Sequence, residues 1–393
     1  MLLLRFYRCA LLRPTPLLLS GRTCVRYYRR VLTNEAEFWS HSAWDIPPSD
    51  DQDEIIAARL QKQRSAPVSE ADRLKYNERP VQYWDTFYRK NSRNFFQDRK
   101  WLINEFPELM SATESNAGPI TILEVGCGTG AAIFPLFSAN NNPNLTLRVY
   151  DYSELAIKLV QEDPLYKAPP IGTIEAHVWD LTSEALAEGV EPESADIVIM
   201  VFVLHALHPN EWCRAVANVH KILKPNGLLL FRDYGRHDMA QLRFKGDRLL
   251  EDNFYLRGDD KTRVYFFELD ELALLFTGAQ TQSSKAEETQ ESPSPLESAE
   301  TPPALRPSED ITVSGQSIST AERTSPPTFP TPGKLHPSLL TSPRPALFTA
   351  VQLRADRRLL LNRKTQVKMH RVWMQAKFKK RSQVGQKVNS DGG

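Results

Sequence analysis

The chain has 393 residues, enough for two average domains or for one catalytic domain with extensions. Hydrophobic residues make up 41% of the sequence, which supports a substantial core, and the formal net charge is only +1. Four cysteines without a CxxC pair argue against a structural zinc site and against a disulfide framework. No apolar run reaches the roughly 18 residues of a membrane span. These features predict a reduced, intracellular protein.

The first 34 residues contain seven arginines and no acidic residue. Arg13, Pro14 and Pro16 interrupt the leucines, so the segment lacks the continuous apolar core of a secretory signal. An arginine-rich, acid-free, amphipathic start is typical of a mitochondrial transit peptide. We therefore assign residues 1–34 to a transit peptide and expect the protein in the mitochondrial matrix. The alternative is a disordered basic tail.

Residues 35–115 are predicted to form a helical region ahead of the main domain that binds RNA and acts as a lid on the cofactor site. Their pattern is helical and rich in aromatic residues from about residue 53 to residue 109. Four aromatic side chains fall at spacings that place them on one face of a helix. These are Tyr83, Trp84, Phe87 and Tyr88.

Residues 116–277 alternate between apolar runs and helical patterns. The runs predicted as strands are 119–125, 145–150, 173–178, 195–202 and 228–232. The predicted helices between them are 131–138, 154–161 and 210–223. Strands that alternate with helices indicate βαβ units. The sequence therefore predicts an α/β domain with a mostly parallel sheet.

Residues 278–345 differ from the rest in composition, because they hold 12 of the 28 prolines and a single aromatic residue. Such a segment cannot bury enough apolar surface to offset its ordering entropy, and we predict a disordered insertion. Two β-like runs follow, 346–353 and 366–377, within a basic segment of residues 346–381 that completes the sheet. Residues 382–393 are predicted to be a disordered tail. A long surface loop adds little closure entropy, so the domain tolerates the insertion.

The glycine-rich loop after the first of these strands carries the main chemical signal. Gly126, Gly128 and Gly130 follow Glu124, the acidic residue near the end of the strand. A loop of this kind lets the backbone approach a ligand, with a helix N-terminus behind it. Dinucleotide-binding dehydrogenases use the spacing GxGxxG, which this loop does not match. It resembles the loop of class I methyltransferases, in which an acidic residue suits the cationic methionine portion of S-adenosylmethionine.

Further acidic residues follow the next two strands. Asp151 ends the second strand, where a carboxylate can accept hydrogen bonds from both ribose hydroxyls. Asp180 follows the third strand and suits the adenine amino group, while Val201 ends the fourth strand beneath the adenine or the sulfonium. Any one such aspartate is a helix N-cap as often as it is a cofactor ligand. Their common order and spacing favour a cofactor site.

Longer motifs outside the loop resemble those of the methyltransferases that make N3-methylcytidine in the tRNA anticodon loop. The matching strings are HSAWD (41–45), YWDTFY (83–88), NFFQDR (94–99), RDYGR (232–236), DMAQLRF (238–244) and NFYLRG (253–258). Together with the arginine-rich start, these motifs are most similar to those of the mitochondrial member of that family.

The resemblance implies a class I, Rossmann-like, S-adenosylmethionine-dependent methyltransferase. Its expected fold has a mostly parallel seven-stranded sheet, an N-terminal helical extension and the disordered insertion. The helix carrying Trp84 and Tyr88 should cover the cofactor pocket, although both could instead be core residues. The cofactor-binding residues that it implies are Trp84, Tyr88, Gly126, Asp151, Asp180, Leu181 and Val201.

The RDYGR segment should border the pocket that receives the target base. N3 of neutral cytosine has an in-plane lone pair, so its methylation needs no general base. The product is a cation, and Asp233 is the predicted catalytic residue that stabilises it. The alternative is an ion pair of Asp233 with Arg232 or Arg236. Tyr234 or Phe254 is expected to stack on a flipped base.

The sequence also departs from the family pattern. Where relatives tend to have Asn and Ser, this chain has Ala131 and His205, and the segment 258–263 carries one added residue. We interpret His205 and His208 as structural, since they form no metal-ligand pattern, and we expect no metal. Cys127 lies in the glycine loop but has no evident partner that would make it a nucleophile.

Two basic clusters are predicted to contact tRNA phosphates. Their members are Arg236, Arg243, Arg257 and Arg263, then Arg357, Arg358, Arg363, Lys364 and Lys368. The resemblance implies methylation of cytidine 32 in mitochondrial tRNA-Thr and tRNA-Ser, binding of the anticodon stem-loop, and seryl-tRNA synthetase as a partner. The alternatives are a methyltransferase acting on another RNA or a protein, and a catalytically silent RNA-binding protein.

Overall fold

The computed structural model describes residues 43–45, 53–93, 95–278, 335–341, 344–362 and 367–382. The predicted transit peptide, most of the predicted insertion and nearly all of the predicted C-terminal tail lie outside these residues.

Eleven strands make up the two sheets of the described chain. They are β1 (Ala43–Asp45), β2 (Ile120–Val125), β3 (Leu145–Asp151), β4 (Thr173–Val178), β5 (Ala195–Val201), β6 (Leu223–Tyr234), β7 (Leu249–Glu251), β8 (Phe254–Leu256), β9 (Arg263–Tyr265), β10 (Phe348–Asn362) and β11 (Val367–Lys380). The main sheet has the order β1-β10-β11-β6-β5-β2-β3-β4, and β7, β8 and β9 form a small second sheet.

The main sheet is parallel from β6 to β4 and antiparallel at its other edge. The pairs β6/β5, β5/β2, β2/β3 and β3/β4 are parallel, while β11 pairs antiparallel with both β6 and β10. Seven of its strands match the predicted sheet. The short β1 adds an eighth by pairing antiparallel with β10 at the edge.

Eleven helices accompany the sheets in the described part of the chain. They are α1 (Asp53–Arg64), α2 (Glu70–Glu78), α3 (Val81–Asn91), α4 (Leu102–Glu105), α5 (Pro107–Ala112), α6 (Ile133–Ser138), α7 (Glu154–Gln161), α8 (Pro164–Lys167), α9 (Trp212–Ile222), α10 (Met239–Leu242) and α11 (Leu269–Thr277). Five of these helices, α1 to α5, lie between residues 53 and 112 of the predicted N-terminal helical region, whereas Ala43–Asp45 in the same region forms strand β1. Short 3₁₀ turns cover Leu204–Ala206, Pro209–Glu211 and Pro337–Leu339.

The central parallel strands β2 and β5 are buried on both faces, which explains their continuous apolar sequences, whereas the edge strand β4 alternates between buried and exposed residues. In β5, Val198 and Met200 belong to the core on one side of the sheet, and Ile197 and Ile199 belong to the core on the other. The amphipathic α9 covers the first side, and α6 and α7 cover the second. This layering leaves the carboxyl ends of the parallel strands as the edge where ligands bind in such folds.

Residues 335–341, at the end of the predicted disordered insertion, pack into the domain. Leu339 is buried in the core, and the backbone N–H of His336 donates to Glu271 Oε1 at 3.2 Å. The prediction of disorder up to residue 345 was therefore wrong at this end. The proline-rich composition of the insertion gave no sign that Leu339 fixes this short segment in the core.

Strand β10 extends to Asn362, although the apolar pattern predicted its end near residue 353. Its second half is rich in charged residues whose partners lie within the fold. Asp356 is fully buried, accepts from Arg232 Nη2 at 2.8 Å and lies 3.3 Å from Arg358 Nη2. Because these buried strand positions hold paired charges, the hydrophobic pattern of the sequence could not identify them as part of β10.

Candidate active site

The glycine loop connects β2 to α6 with a backbone that requires glycine. Gly126 and Gly128 have φ angles of +61° and +56°. A Cβ atom on Gly126 would lie 2.6 Å from Val203 Cγ2, and one on Gly128 would lie 3.2 Å from the Tyr88 hydroxyl. Side chains at these positions would be both strained and obstructed. The loop therefore packs directly against the segment after β5 and against α3.

Asp151 connects the glycine loop to the end of β3. Its Oδ2 accepts from the backbone N–H of Gly128 at 2.9 Å, and its Oδ1 accepts from the N–H of Ser153 at 3.0 Å. Burial raises the pKa of Asp151 to about 6, against the effect of these two hydrogen bonds. The Ser153 hydroxyl donates to Asp85 Oδ1 at 2.5 Å. The carboxylate predicted to bind ribose is thus held in place from two loops.

Helix α3 presents the predicted aromatic face to this region. Trp84, Phe87 and Tyr88 are buried, and the Trp84 and Tyr88 rings lie 5.9 Å apart. The cluster also includes Ala156 of α7. The two interpretations of Trp84 and Tyr88 are therefore compatible, because the same side chains are packed in a core and Tyr88 lies beside the glycine loop.

Glu124 is the unusual group of the site. Its side chain is 1% exposed, and among the described residues neither carboxyl oxygen has a hydrogen-bond partner. Burial raises its pKa to about 8, although the positive charge of Arg99 opposes the shift. Buried polar groups almost always have partners. An unpartnered carboxyl group beside a ligand-binding loop fits a cationic ligand group.

The other predicted cofactor residues lie at the same edge of the sheet. Asp180 follows β4, is exposed, and accepts from the N–H and hydroxyl of Thr182, both at 2.8 Å. Leu181 and Val201 are buried, and the Val201 carbonyl accepts from Arg99 Nη1 at 3.1 Å. Their roles stay predictions.

Asp233, near the end of β6, is fully buried and uses both oxygens within the fold. Its Oδ1 lies 2.8 Å from His205 Nδ1 and accepts from the N–H of Tyr234 at 2.8 Å. Its Oδ2 accepts from the backbone N–H of His205 at 3.1 Å. The carboxylate thus fixes the loop after β5 beside the expected base pocket. Its catalytic role stays a prediction.

The alternative role of Asp233, an ion pair with a neighbouring arginine, was wrong. Arg232 points its guanidinium at Asp356 and lies between the rings of Trp101 and Trp373, with centroids at 5.0 and 4.7 Å. Arg236 instead lies 3.0 Å from Glu268. Alternation along β6 turns Arg232 away from Asp233, and Arg236 lies beyond the end of the strand.

Of the two aromatic residues expected to stack on a base, only Tyr234 is accessible. It is half-buried, with Phe202 and His205 at centroid distances of 4.9 Å. Phe254 is fully buried in the core beside His208 and cannot reach a ligand. The expectation for Phe254 was therefore wrong.

The contacts of His205, which the sequence only indicated as structural, connect Asp233 to Arg257. His205 is buried, and burial lowers its pKa despite the nearby Asp233 carboxylate. With Nδ1 donating to Asp233, its Nε2 accepts from Arg257 Nη2 at 3.4 Å. These residues are 28 and 52 positions away in sequence.

The predicted phosphate-binding clusters are only partly on the surface. Arg263 is buried beside Glu211, and Arg358 lies 2.8 Å from Glu105, so both serve within the fold. Arg243 is exposed, as predicted for a contact with RNA. Two further members, at positions 363 and 364, lie outside the described residues.

Comparison with known proteins identifies the family. Residues 123–229 match the model of a methyltransferase domain. The tRNA N(3)-methylcytidine methyltransferase trm140 of Schizosaccharomyces pombe is 36% identical over 352 residues, covering 89% of this chain and 91% of that protein. The chain belongs to the tRNA N3-methylcytidine methyltransferase family.

Two other family members match different shares of their length. The tRNA(Thr) (cytosine(32)-N(3))-methyltransferase of Saccharomyces cerevisiae is 38% identical over 89% of this chain, which spans 45% of that protein. Human tRNA N(3)-cytidine methyltransferase METTL6 is 43% identical over 209 residues, 53% of this chain and 72% of that protein. A solved S-adenosylmethionine-dependent methyltransferase from Methanosarcina mazei aligns at 16% identity, covering 70% of this chain and 98% of its own, with a TM-score of 0.40.

The family's methyl donor is S-adenosylmethionine, which supplies a methyl group on a sulfonium, and the residues present fit it. The unpartnered Glu124 suits its ammonium group, and Asp151 suits its ribose hydroxyls. The described residues contain no cluster that could hold a metal ion. No helix among them is long and apolar enough to cross a membrane.

Replacing Glu124 with glutamine should remove a stability cost that grows with pH. The raised pKa means that the folded state holds a proton more tightly than the unfolded chain, so stability falls as pH rises from about 4.5 and levels off above about 8. Relative to wild type, E124Q should gain about 3 kcal/mol between pH 6 and pH 9. Urea unfolding at both values measures this.

Cofactor binding should change in the opposite direction, with about tenfold weaker binding of S-adenosylmethionine by E124Q at pH 7. The exposed Glu162 gives the control, since E162Q should leave both measurements unchanged. Equal pH dependence in wild type and E124Q would show that Glu124 does not titrate in this range.

Proposed function

We propose that this protein transfers a methyl group from S-adenosylmethionine to N3 of cytidine 32 in the anticodon loop of mitochondrial tRNA-Thr and tRNA-Ser. The observation that supports this most is the match over 89% of the chain to relatives named for N3-methylation of tRNA cytidine. The site geometry agrees, since a cofactor cradle and a buried carboxylate lie at one edge of the sheet.

The chemistry requires positioning more than proton transfer. N3 of cytosine attacks the methyl group with its own lone pair, so the protein must orient the base and exclude water. Tyr234 is placed to stack on the flipped base. Asp233 supplies negative charge where the methylated base becomes a cation, and its fixed hydrogen bonds keep that charge from reorganising.

The cellular setting is part of the proposal. Seven arginines without an acidic residue in positions 1–34 support import into the mitochondrial matrix. The anticodon stem-loop is the proposed RNA partner and seryl-tRNA synthetase the proposed protein partner. A fluorescent reporter fused to residues 1–34 should enter mitochondria, and a diffuse cytosolic signal would exclude this location.

Nucleoside mass spectrometry on mitochondrial tRNAs from cells with and without the gene tests the substrate. N3-methylcytidine at position 32 should disappear in the deletion and return with the wild-type gene. Addition of purified S-adenosylmethionine-loaded protein to transcripts with uridine at that position should give no product. Unchanged N3-methylcytidine in the deletion would overturn the proposal. Methylation of a protein or of another RNA instead would show that the substrate is one of the alternatives.

A further inference from the structure

Arg257, just after β8, is a buried cation without a carboxylate partner. It is 9% exposed, and among the described residues no acidic side chain pairs with it. The other buried arginines differ: Arg232 pairs with Asp356, and Arg263 lies 3.7 Å from Glu211. A desolvated guanidinium without an anion is costly. Its missing partner is therefore expected in a ligand.

The Arg257 side chain is oriented by a short chain of hydrogen bonds. The Asp233 carboxylate can only accept, so His205 Nδ1 carries the proton and donates at 2.8 Å. The bare Nε2 then accepts from Arg257 Nη2 at 3.4 Å. On its other side the guanidinium lies 5.8 Å from the centre of the Tyr234 ring. Asp233 thus sets the imidazole tautomer that can hold Arg257.

This chain of hydrogen bonds adjoins the cofactor cradle on the side away from Asp151. His205 follows β5 and Asp233 lies in β6, one and two strands from the β2 loop that carries Gly126, whereas Asp151 ends β3 on the other side of β2. Arg257 also adjoins Tyr234, the accessible aromatic residue at the end of β6. An anion bound here would belong to the nucleotide that carries the target base.

We infer that His205 is a positioning residue that holds Arg257 for binding a phosphate of the substrate RNA beside the target cytidine. The inference rests on the proposed function. Phosphate supplies the negative charge that the buried guanidinium lacks, and a planar fork of N–H donors suits its oxygens. His205 thus acts on the substrate through Arg257.

The test is steady-state methylation of tRNA by the full-length protein, with salt dependence of tRNA binding as a second readout. R257Q should raise the KM for tRNA about tenfold. It should also reduce the slope of log K against log salt by about 1, as expected for one lost phosphate contact. H205N keeps a donor toward Asp233 but lacks Nε2, and it should raise the same KM about fivefold.

Three comparisons make the outcome decisive. In the H205N/R257Q double variant the two effects should not add, because one acts through the other. H205Q, whose amide oxygen can replace Nε2 as an acceptor, should restore part of the affinity. The exposed Lys167 supplies the matched control, since K167Q should change neither the KM nor the salt slope.

Additive effects, or an unchanged salt slope in R257Q, would overturn the inference. A weaker affinity for S-adenosylmethionine with unchanged tRNA KM would assign Arg257 to the cofactor carboxylate instead, and would overturn it as well. Failure of the proposed function is distinguishable, because wild-type protein would then form no N3-methylcytidine at all.

Discussion

Replacing Asp151 with asparagine should weaken S-adenosylmethionine binding by about 10- to 100-fold, the value of one or two hydrogen bonds to a charged group. Both carboxylate oxygens already accept backbone N–H groups, from Gly128 and Ser153. An amide must place its NH₂ group against one of them, because it has only one acceptor atom. The variant therefore loses both the charge that meets the ribose hydroxyls and the fixed shape of the glycine loop. Isothermal titration with the cofactor measures the affinity.

Asp196 gives a matched control for D151N. It lies in β5 toward the amino ends of the parallel strands, accepts from the N–H of Thr121 at 2.9 Å and pairs with Lys224 Nζ at 2.7 Å. D196N should cost about 1–3 kcal/mol in unfolding free energy and leave cofactor affinity unchanged. If D151N also bound the cofactor like wild type, Asp151 would be no more than a loop cap.

The parallel part of the sheet could be predicted because its signals are local. Strand β4 was predicted with the bounds observed, and so was α7, because short apolar runs and a 3.6-residue period are visible without knowledge of the neighbours. The glycine loop was equally clear, because three glycines at alternate positions directly after a strand indicate a backbone that approaches a ligand. The arrangement of Asp151 against Gly128 follows from the parallel pairing of β2 with β3.

The missed features depend on contacts distant in sequence. Strands β7, β8 and β9 have three residues each, too few to show alternation. The second half of β10 reads as a charged segment until Arg232 is placed beside Asp356. The contact of His205 with Asp233 could not be predicted, because it depends on the pairing of β5 with β6. In each case the partner lies elsewhere in the chain, where a local pattern carries no information.

The prediction with the largest effect on turnover concerns Asp233. D233A should lower kcat about 100- to 1,000-fold, as when a preorganised electrostatic group is removed from an active site. The affinity for S-adenosylmethionine should stay within about threefold, because the hydrogen bonds that hold Asp151 to the glycine loop do not involve Asp233. Single-turnover methylation of tRNA at saturating cofactor measures the chemical step separately from binding.

Asp356 distinguishes loss of charge at the reaction centre from loss of stability. Like Asp233 it is fully buried, but its partners are Arg358 of β10 and Arg232, whose side chain alternates with that of Asp233 along β6. D356N should destabilise the protein by about 3 kcal/mol, as removal of one partner from a buried ion pair does. Its kcat per cofactor-binding site should nevertheless stay near the wild-type value. If D233A kept wild-type kcat per bound cofactor, the Asp233 carboxylate would serve only to anchor His205 and the loop after β5, and the charge on the methylated base would have to be stabilised by another group.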